Sequence, residues 1–165
     1  MPEATGQRAY IGIGANLGDA RATVSAAQTA LAALPGCRLV ASSDVYRSAP
    51  VDAVGPDYFN AVAAIDTRLA PPALLTALQG IEQDFGRQRP YPNAPRTLDL
   101  DLLLHGDTVL ATPALTLPHP RLHQRAFVLR PLLDLAPTLS LPGLGPLAGC
   151  LPACADQRIE RLAPP

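Results

Sequence analysis

The chain has 165 residues, is 48% apolar and carries a net charge of −1, so one soluble globular domain spanning residues 1–165 is expected, with enough length to bury a core. The charge balance excludes the strongly basic surface of a nucleic-acid binder, and no apolar run approaches the ~20 residues of a membrane helix. All 13 basic residues are Arg, which excludes a Walker-type lysine, a Schiff-base lysine and a lysine general base.

Arg8 to Gly14 reads as a short strand with Tyr10, Ile11 and Ile13 as its apolar content. Gly12, Gly14 and Gly18 fall before a helix, but Leu17 stands where a dinucleotide fingerprint wants its third glycine, so a tight turn is expected. Asn16 and Asp19 suit turn and N-cap positions. A helix is expected from about Ala20 to Leu34, since Val24, Ala27, Leu31 and Leu34 share one face, and Pro35-Gly36 ends it. Cys37 to Arg47 reads as one strand, Ser48 to Asp57 as a loop, and Tyr58 to Arg68 as a strand with Phe59, Ala61, Ala63 and Ile65 opposite Asn60. Pro71-Pro72 opens a second helix with Leu74, Leu78, Ile81 and Phe85 as its core stripe, Gln79 and Glu82 beside it, and Gly86 at its end. Arg87 to Pro95 is a proline-rich loop. Beyond residue 105 come a turn at Gly106-Asp107, a short strand near Val109, a proline-broken loop around His119, a helix over Phe127–Leu135 and a tail of undetermined structure. Cys37, Cys150 and Cys154 are odd in number and widely spaced, as expected of reduced thiols in the cytoplasm.

Between the Arg87–Pro95 loop and the turn lies the most informative stretch, Leu98-Asp99-Leu100-Asp101-Leu102-Leu103-Leu104. Its alternation is that of a strand with Leu98, Leu100, Leu102 and Leu104 toward a core and both carboxylates on the other face, their Cα atoms roughly 6.6 Å apart. Two carboxylates so placed repel unless a cation lies between them, and oxygen ligands of this kind suit Mg²⁺ shared with phosphates. A solvated strand face is the alternative. The order β-α-β-β-α-β predicts an α+β, ferredoxin-like antiparallel sheet with both helices on one face and the other face free for a site.

Six of the 13 arginines (Arg87, Arg89, Arg96, Arg121, Arg125 and Arg130) bracket the aspartates in sequence. Guanidinium groups together with Mg²⁺ are suited to polyphosphate, which points to a metal–nucleotide site. His119 and His123 are four apart, but Pro118 and Pro120 argue against a helical metal pair, and His119 suits a phosphate donor better. Tyr58, Phe59, Asn60 and Phe127 are consistent with plain core. An amide among scarce aromatics is also the equipment to hold a flat ring, by stacking on its faces and bonding its edge.

Asn93-Ala94-Pro95-Arg96-Thr97-Leu98-Asp99-Leu100-Asp101-Leu102-Leu103 closely resembles the signature of the 6-hydroxymethyl-7,8-dihydropterin pyrophosphokinases of folate biosynthesis. Gly12 to Gly18, Tyr46-Arg47-Ser48, Pro56 to Ala61, Leu117-Pro118-His119 and Arg125-Ala126-Phe127 resemble further segments of that family. The resemblance implies that the enzyme transfers the diphosphate of ATP to the hydroxymethyl group of 6-hydroxymethyl-7,8-dihydropterin and releases AMP. It implies that Asp99 and Asp101 hold two Mg²⁺ ions. Tyr58 and Phe127 would sandwich the pterin, Asn60 would bond its edge, and Ser48 and Val51 would offer backbone groups. Gln79, Glu82, Arg87, Arg89, Arg96, His119 and Arg125 would contact ATP or line its path, with Arg87, Arg89 and Arg96 acting on the phosphates. Loops matching Gly14–Asp19, Ser48–Asp57 and Arg87–Pro95 would close over ATP. The sequence departs from some members in having no tryptophan near Asn93 and in placing Pro120 after the histidine. A cytoplasmic monomer without nucleic-acid or membrane partners is expected. Two rivals use the same features: a two-metal phosphodiesterase acting through the aspartates, and a non-catalytic ferredoxin-like module binding RNA or a small effector. The leucines and aspartates of the central strand, where an RNA-binding sheet would carry aromatics, argue against RNA.

Overall fold

The computed structural model describes residues 6–16, 19–49, 56–86, 98–141 and 143–162. The expectations that fall on Val51, Arg87, Arg89 and Arg96 lie outside the described residues, as do Leu17 and Gly18. The first seven elements are β1 (Gln7–Ala15), α1 (Ala20–Ala32), β2 (Cys37–Ser42), β3 (Tyr46–Ser48), β4 (Tyr58–Thr67), α2 (Pro71–Gly86) and β5 (Asp99–His105). β4 lies between β1 and the β2/β3 pair, and β1 lies between β4 and β5, every neighbour antiparallel. This is the ferredoxin-like order expected from the chain. The helices begin and end for local reasons. The Asp19 carboxylate accepts from the Ala22 amide at 3.1 Å and caps α1, while Pro71 is the first residue of α2, where its missing N–H costs nothing.

The apolar periods decide the packing. Val24, Ala27 and Leu31 of α1 and Leu74, Leu78 and Ile81 of α2 form one core with Ile11, Ile13, Ala61, Ala63, Ile65, Leu98, Leu100 and Leu102 of the sheet. After β5 the chain makes a hairpin of β6 (Leu110–Ala111) and β7 (Thr116–Leu117), then α3 (Ala126–Leu135). A second hairpin of β8 (Ser140–Leu141) and β9 (Gly145–Pro146), a 3₁₀ run over Leu147–Cys154 and β10 (Ile159–Arg161) complete it. α3 lies on the opposite sheet face, where Leu122, Val128, Leu129 and Leu132 pack with Val62, Leu103 and Leu104 in a second core.

Several expectations need correction. The face opposite α1 and α2 is not free along its length, because α3 and the chain after it cover part of it. Leu104 does not share the face of Leu98, Leu100 and Leu102. Tyr10 pairs with Leu104 and Ile11 with Leu102, so Leu103 is the extra residue of a β-bulge. A bulge reverses the alternation beyond it, which turns both Leu103 and Leu104 toward α3. Cys37–Arg47 is two strands, not one. At the break the Ser43 hydroxyl accepts from the Val62 amide at 2.9 Å, taking the place of a ladder partner. Gly12 and Gly14 are not in a turn; they lie inside β1. The tail is ordered into β10, which adds to the sheet beside β3 with Ile159 opposite Ser48.

A polar knot ties this edge to α3. Tyr46, 1% exposed, donates its hydroxyl hydrogen bond to Asp134 of α3. Arg161 of β10 donates to the Tyr46 oxygen at 3.1 Å and pairs with Asp134 at 2.7 Å. Burial, reinforced by the Asp134 bond, raises the Tyr46 phenol above its ordinary value, so it stays a neutral donor.

Candidate active site

The register sets out the site. Gly14 lies between Asn60 of β4 and Asp99 of β5, and Gly12 between Val62 and Asp101. Two strand spacings separate Asn60 from Asp99, about 10 Å between Cα atoms. Gly14 therefore lies in the middle of a row whose two flanks carry functional groups, and its missing side chain leaves the floor open there; Gly12 lies beside Asp101, with the Leu103 side chain against it. A Cβ on Gly14 would stand 3.4 Å from the Asn60 Oδ1. Glycine inside a strand marks a place where something else approaches the backbone. Over this floor lies a cleft of about 610 Å³, a size that suits a small-molecule ligand.

At one end of the cleft stand Ser48, Tyr58, Asn60 and Phe127. Asn60 is 4% exposed, and its Nδ2 donates to the Ser48 hydroxyl at 2.8 Å and to the Tyr46 carbonyl at 3.4 Å. A carbonyl can only accept, so this bond orients the amide and leaves Oδ1, beside Gly14, as the acceptor offered to the cleft. Phe127 is half-buried at the first turn of α3, and the Arg125 guanidinium lies 5.7 Å from its ring centroid. That contact is a cation–π pair, and Arg125 lines the cleft with it.

At the other end are Asp99, exposed, and Asp101, half-buried. Their strand is the sheet edge, and Glu82 of α2 secures it by accepting from the Leu100 amide at 2.7 Å, between the two aspartates. The His119 amide donates to the Leu103 carbonyl at 2.9 Å, and its Nδ1 accepts from the Arg121 amide at 3.1 Å. Burial, only partly opposed by the Asp101 charge and aided by Arg125 and Arg121, lowers the His119 value below its ordinary one. The neutral ring with Nδ1 accepting carries its proton on Nε2, so it is a donor near neutral pH.

The fold thus brings together Ser48, Tyr58, Asn60, Phe127, Arg125, Asp99 and Asp101 on one cleft. Gln79, exposed on α2, Glu82 and His119 are not among the described residues that line it. Gly12, Gln124, Asp156 and Gln157, to which the sequence assigns no site role, are also on its wall, with Gly14 and Arg121, expected only as part of a closing loop and of an arginine cluster. The period-two glycines were a readable signal; Asp156 and Gln157 carried none.

Floor, amide, aromatic wall and paired carboxylates share one cleft over the sheet of an α+β fold, a site of the small-molecule-binding class. Residues 10–137 match the family model described as 7,8-dihydro-6-hydroxymethylpterin-pyrophosphokinase (HPPK), and the chain belongs to that family. It is similar to the 2-amino-4-hydroxy-6-hydroxymethyldihydropteridine pyrophosphokinase of Pseudomonas aeruginosa, 50% identical over 157 residues, which is 94% of this chain and 97% of that one. The protein of the same name from Haemophilus influenzae is 40% identical over 94% of this chain and 98% of its own length. Among solved structures, wild-type Plasmodium falciparum HPPK-DHPS with SDX-DHP has the same fold, with a TM-score of 0.72 at 12% identity over 91% of this chain. The chain spans only 44% of that longer polypeptide.

Proposed function

We propose that this protein is the ATP-dependent pyrophosphokinase of folate synthesis that its family membership indicates. The hydroxymethyl oxygen of 6-hydroxymethyl-7,8-dihydropterin attacks the β-phosphorus of ATP, the diphosphate is transferred, and AMP leaves. The observation that carries this reading is one cleft holding a ring-recognition set and a carboxylate pair across the same strand rows. Tyr58 and Phe127 stack on the pterin, the Asn60 Oδ1 accepts from its edge, and Ser48 fixes the amide that does so. Val51 would offer a backbone group to the pterin. With the ring held there, the hydroxymethyl group points along the glycine floor toward Asp99 and Asp101.

The donor set fits Mg²⁺. Two carboxylates on one strand face supply the hard oxygens that Mg²⁺ prefers. Asp99 and Asp101 would hold two ions, which when bound neutralise charge on the transferring diphosphate. Arg125 and His119 offer donors to ATP on the α3 side; Gln79 and Glu82 lie along its path on the α2 side. Arg87, Arg89 and Arg96 act on the phosphates. Positioning of the two substrates accounts for the acceleration without a dedicated general base. On this reading the enzyme is one domain, a cytoplasmic monomer, and acts on neither nucleic acid nor membrane. No helix among the described residues is long and apolar enough to cross a membrane.

Omission assays test the proposal. Protein, Mg²⁺ and ATP should yield AMP only when hydroxymethyldihydropterin is added. ADP as product would contradict the proposal, and nucleotide hydrolysis independent of the pterin would support the phosphodiesterase alternative instead.

A further inference from the structure

Residues 154–161 lie beyond the 10–137 segment that the family model matches, yet they touch both walls of the cleft. On the α3 wall the Gln157 side chain makes two hydrogen bonds to backbone. Its Oε1 accepts from the Ala126 amide at 2.9 Å, and its Nε2 donates to the Gln124 carbonyl at 2.8 Å. These two groups flank Arg125, whose φ of −119° and ψ of 110° are extended. In an extended chain the carbonyl before a residue and the amide after it point to the same side. The Gln157 amide therefore grips this turn as a neighbouring strand would. It also supplies what α3 lacks, because Arg125 at the N-cap position makes no side-chain cap of its own. The Cys154 thiol adds a bond to the His123 carbonyl at 3.6 Å. Two residues after Gln157, Ile159 pairs with Ser48 on the opposite wall.

We infer that Gln157 is a positioning residue for the ring-binding end of the cleft, setting the backbone that aims Arg125 and Phe127 while β10 holds Ser48 and, through it, Asn60. The inference rests on the pterin reading of that end. Gln157 is half-buried and lines the cleft; it acts by fixing backbone, not by chemistry. Removing its amide frees two backbone groups and the aromatic wall they support. A ligand stacked on Phe127 must then bear the cost of ordering that wall, whereas the carboxylate end is untouched.

Gln157→Ala should weaken binding of hydroxymethyldihydropterin about tenfold, the size expected from two lost hydrogen bonds of ordinary strength. Affinity for a non-hydrolysable ATP analogue, which Arg125 contacts, should fall by less than affinity for the pterin, and the pterin KM should rise more than kcat falls. Gln157→Glu, which keeps the acceptor for Ala126 but sets a carboxylate oxygen against the Gln124 carbonyl, should weaken pterin binding at least as much as Gln157→Ala. If Gln157→Ala does not fold, amide hydrogen exchange on the unmodified protein decides: Ala126 should be protected, and more so with pterin bound. Unprotected exchange at Ala126 overturns the inference, as do equal losses for pterin and nucleotide. Asn60→Ala runs in parallel. If it weakens pterin binding and Gln157→Ala does not, the inference alone is overturned. If neither does, the ring-end reading falls and the inference with it.

Discussion

The two faces of β5 make opposite demands, and exchanging one residue on each tests the assignment. Leu100 is 5% exposed and packs among the α1 and α2 side chains. Leu100→Asp removes about 2 kcal/mol of apolar burial, and keeping the new carboxyl neutral at pH 7 costs about 4 kcal/mol more, from 1.36 kcal/mol per unit over roughly three units. The nearby Glu82 carboxylate, bonded to the Leu100 amide, adds repulsion if it ionises. A total near 6 kcal/mol lies within the 5–15 kcal/mol that holds a domain of this size together, so this variant should be largely unfolded at room temperature. Asp99→Asn and Asp101→Asn change charge on the cleft side and should shift stability by no more than about 1 kcal/mol, while each lowers turnover at least about 10²-fold. Thermal melts with and without Mg²⁺ and a non-hydrolysable ATP analogue, together with initial rates, separate the effects. The wild-type gain in Tm with Mg²⁺–nucleotide should shrink in both asparagine variants. A benign Leu100→Asp beside early-melting, active asparagine variants would show that the faces are reversed and refute the metal role.

Phe127→Ala and Asn60→Ala should each weaken pterin binding by about tenfold, as loss of a stacking face or an edge bond implies, and leave ATP binding nearly intact; separate titrations with each ligand check this, and equal losses contradict it. Arg87→Ala and Arg89→Ala should lower kcat more than they raise the ATP dissociation constant if these arginines engage phosphate late in the reaction cycle, and a pure loss of ATP affinity would refute that. Away from the site, the Arg8 hydrogen bond, aided by Arg38 and opposed by burial, holds the Asp66 carboxyl below its ordinary value. A lowered native value contributes stability above the unfolded value of about 3.9 that is lost as pH falls through the native one. Urea melts from pH 7 to pH 2.5 should therefore show a shallower acid loss for Asp66→Asn than for the wild type, and parallel profiles would contradict the pairing.

The parts of the molecule legible in the sequence were those governed by local periodicity. The helix stripes through Leu74, Leu78 and Ile81, the cap at Asp19 and the alternation from Leu98 to Leu102 each reflect one element burying one face. The reading failed where one residue resets a pattern. Nothing local marks Leu103 as a bulge, because three leucines in a row fit either face, and the choice is made by the pairing with Tyr10 and Ile11. Ser43 breaks a strand because its hydroxyl competes for the Val62 amide, a contact 19 residues away. In the site, chemistry-bearing side chains such as Asp99, Asp101 and Asn60 announced themselves by type. Gly12 and Gly14 show only their period-two spacing, and Gln157 reaches Ala126 across 31 positions, a contact that could not be read without the fold.

The central claim is that both outer phosphorus atoms leave ATP together and arrive on the pterin. Phosphorus NMR of a reaction containing enzyme, Mg²⁺, ATP and hydroxymethyldihydropterin measures this directly. The account predicts that the β- and γ-phosphorus signals of ATP decline together as a pterin-linked diphosphate pair grows in, with AMP formed in equal amount. Growth of ADP with a single phosphate on the pterin, or of free phosphate or diphosphate with the pterin unchanged, would contradict it.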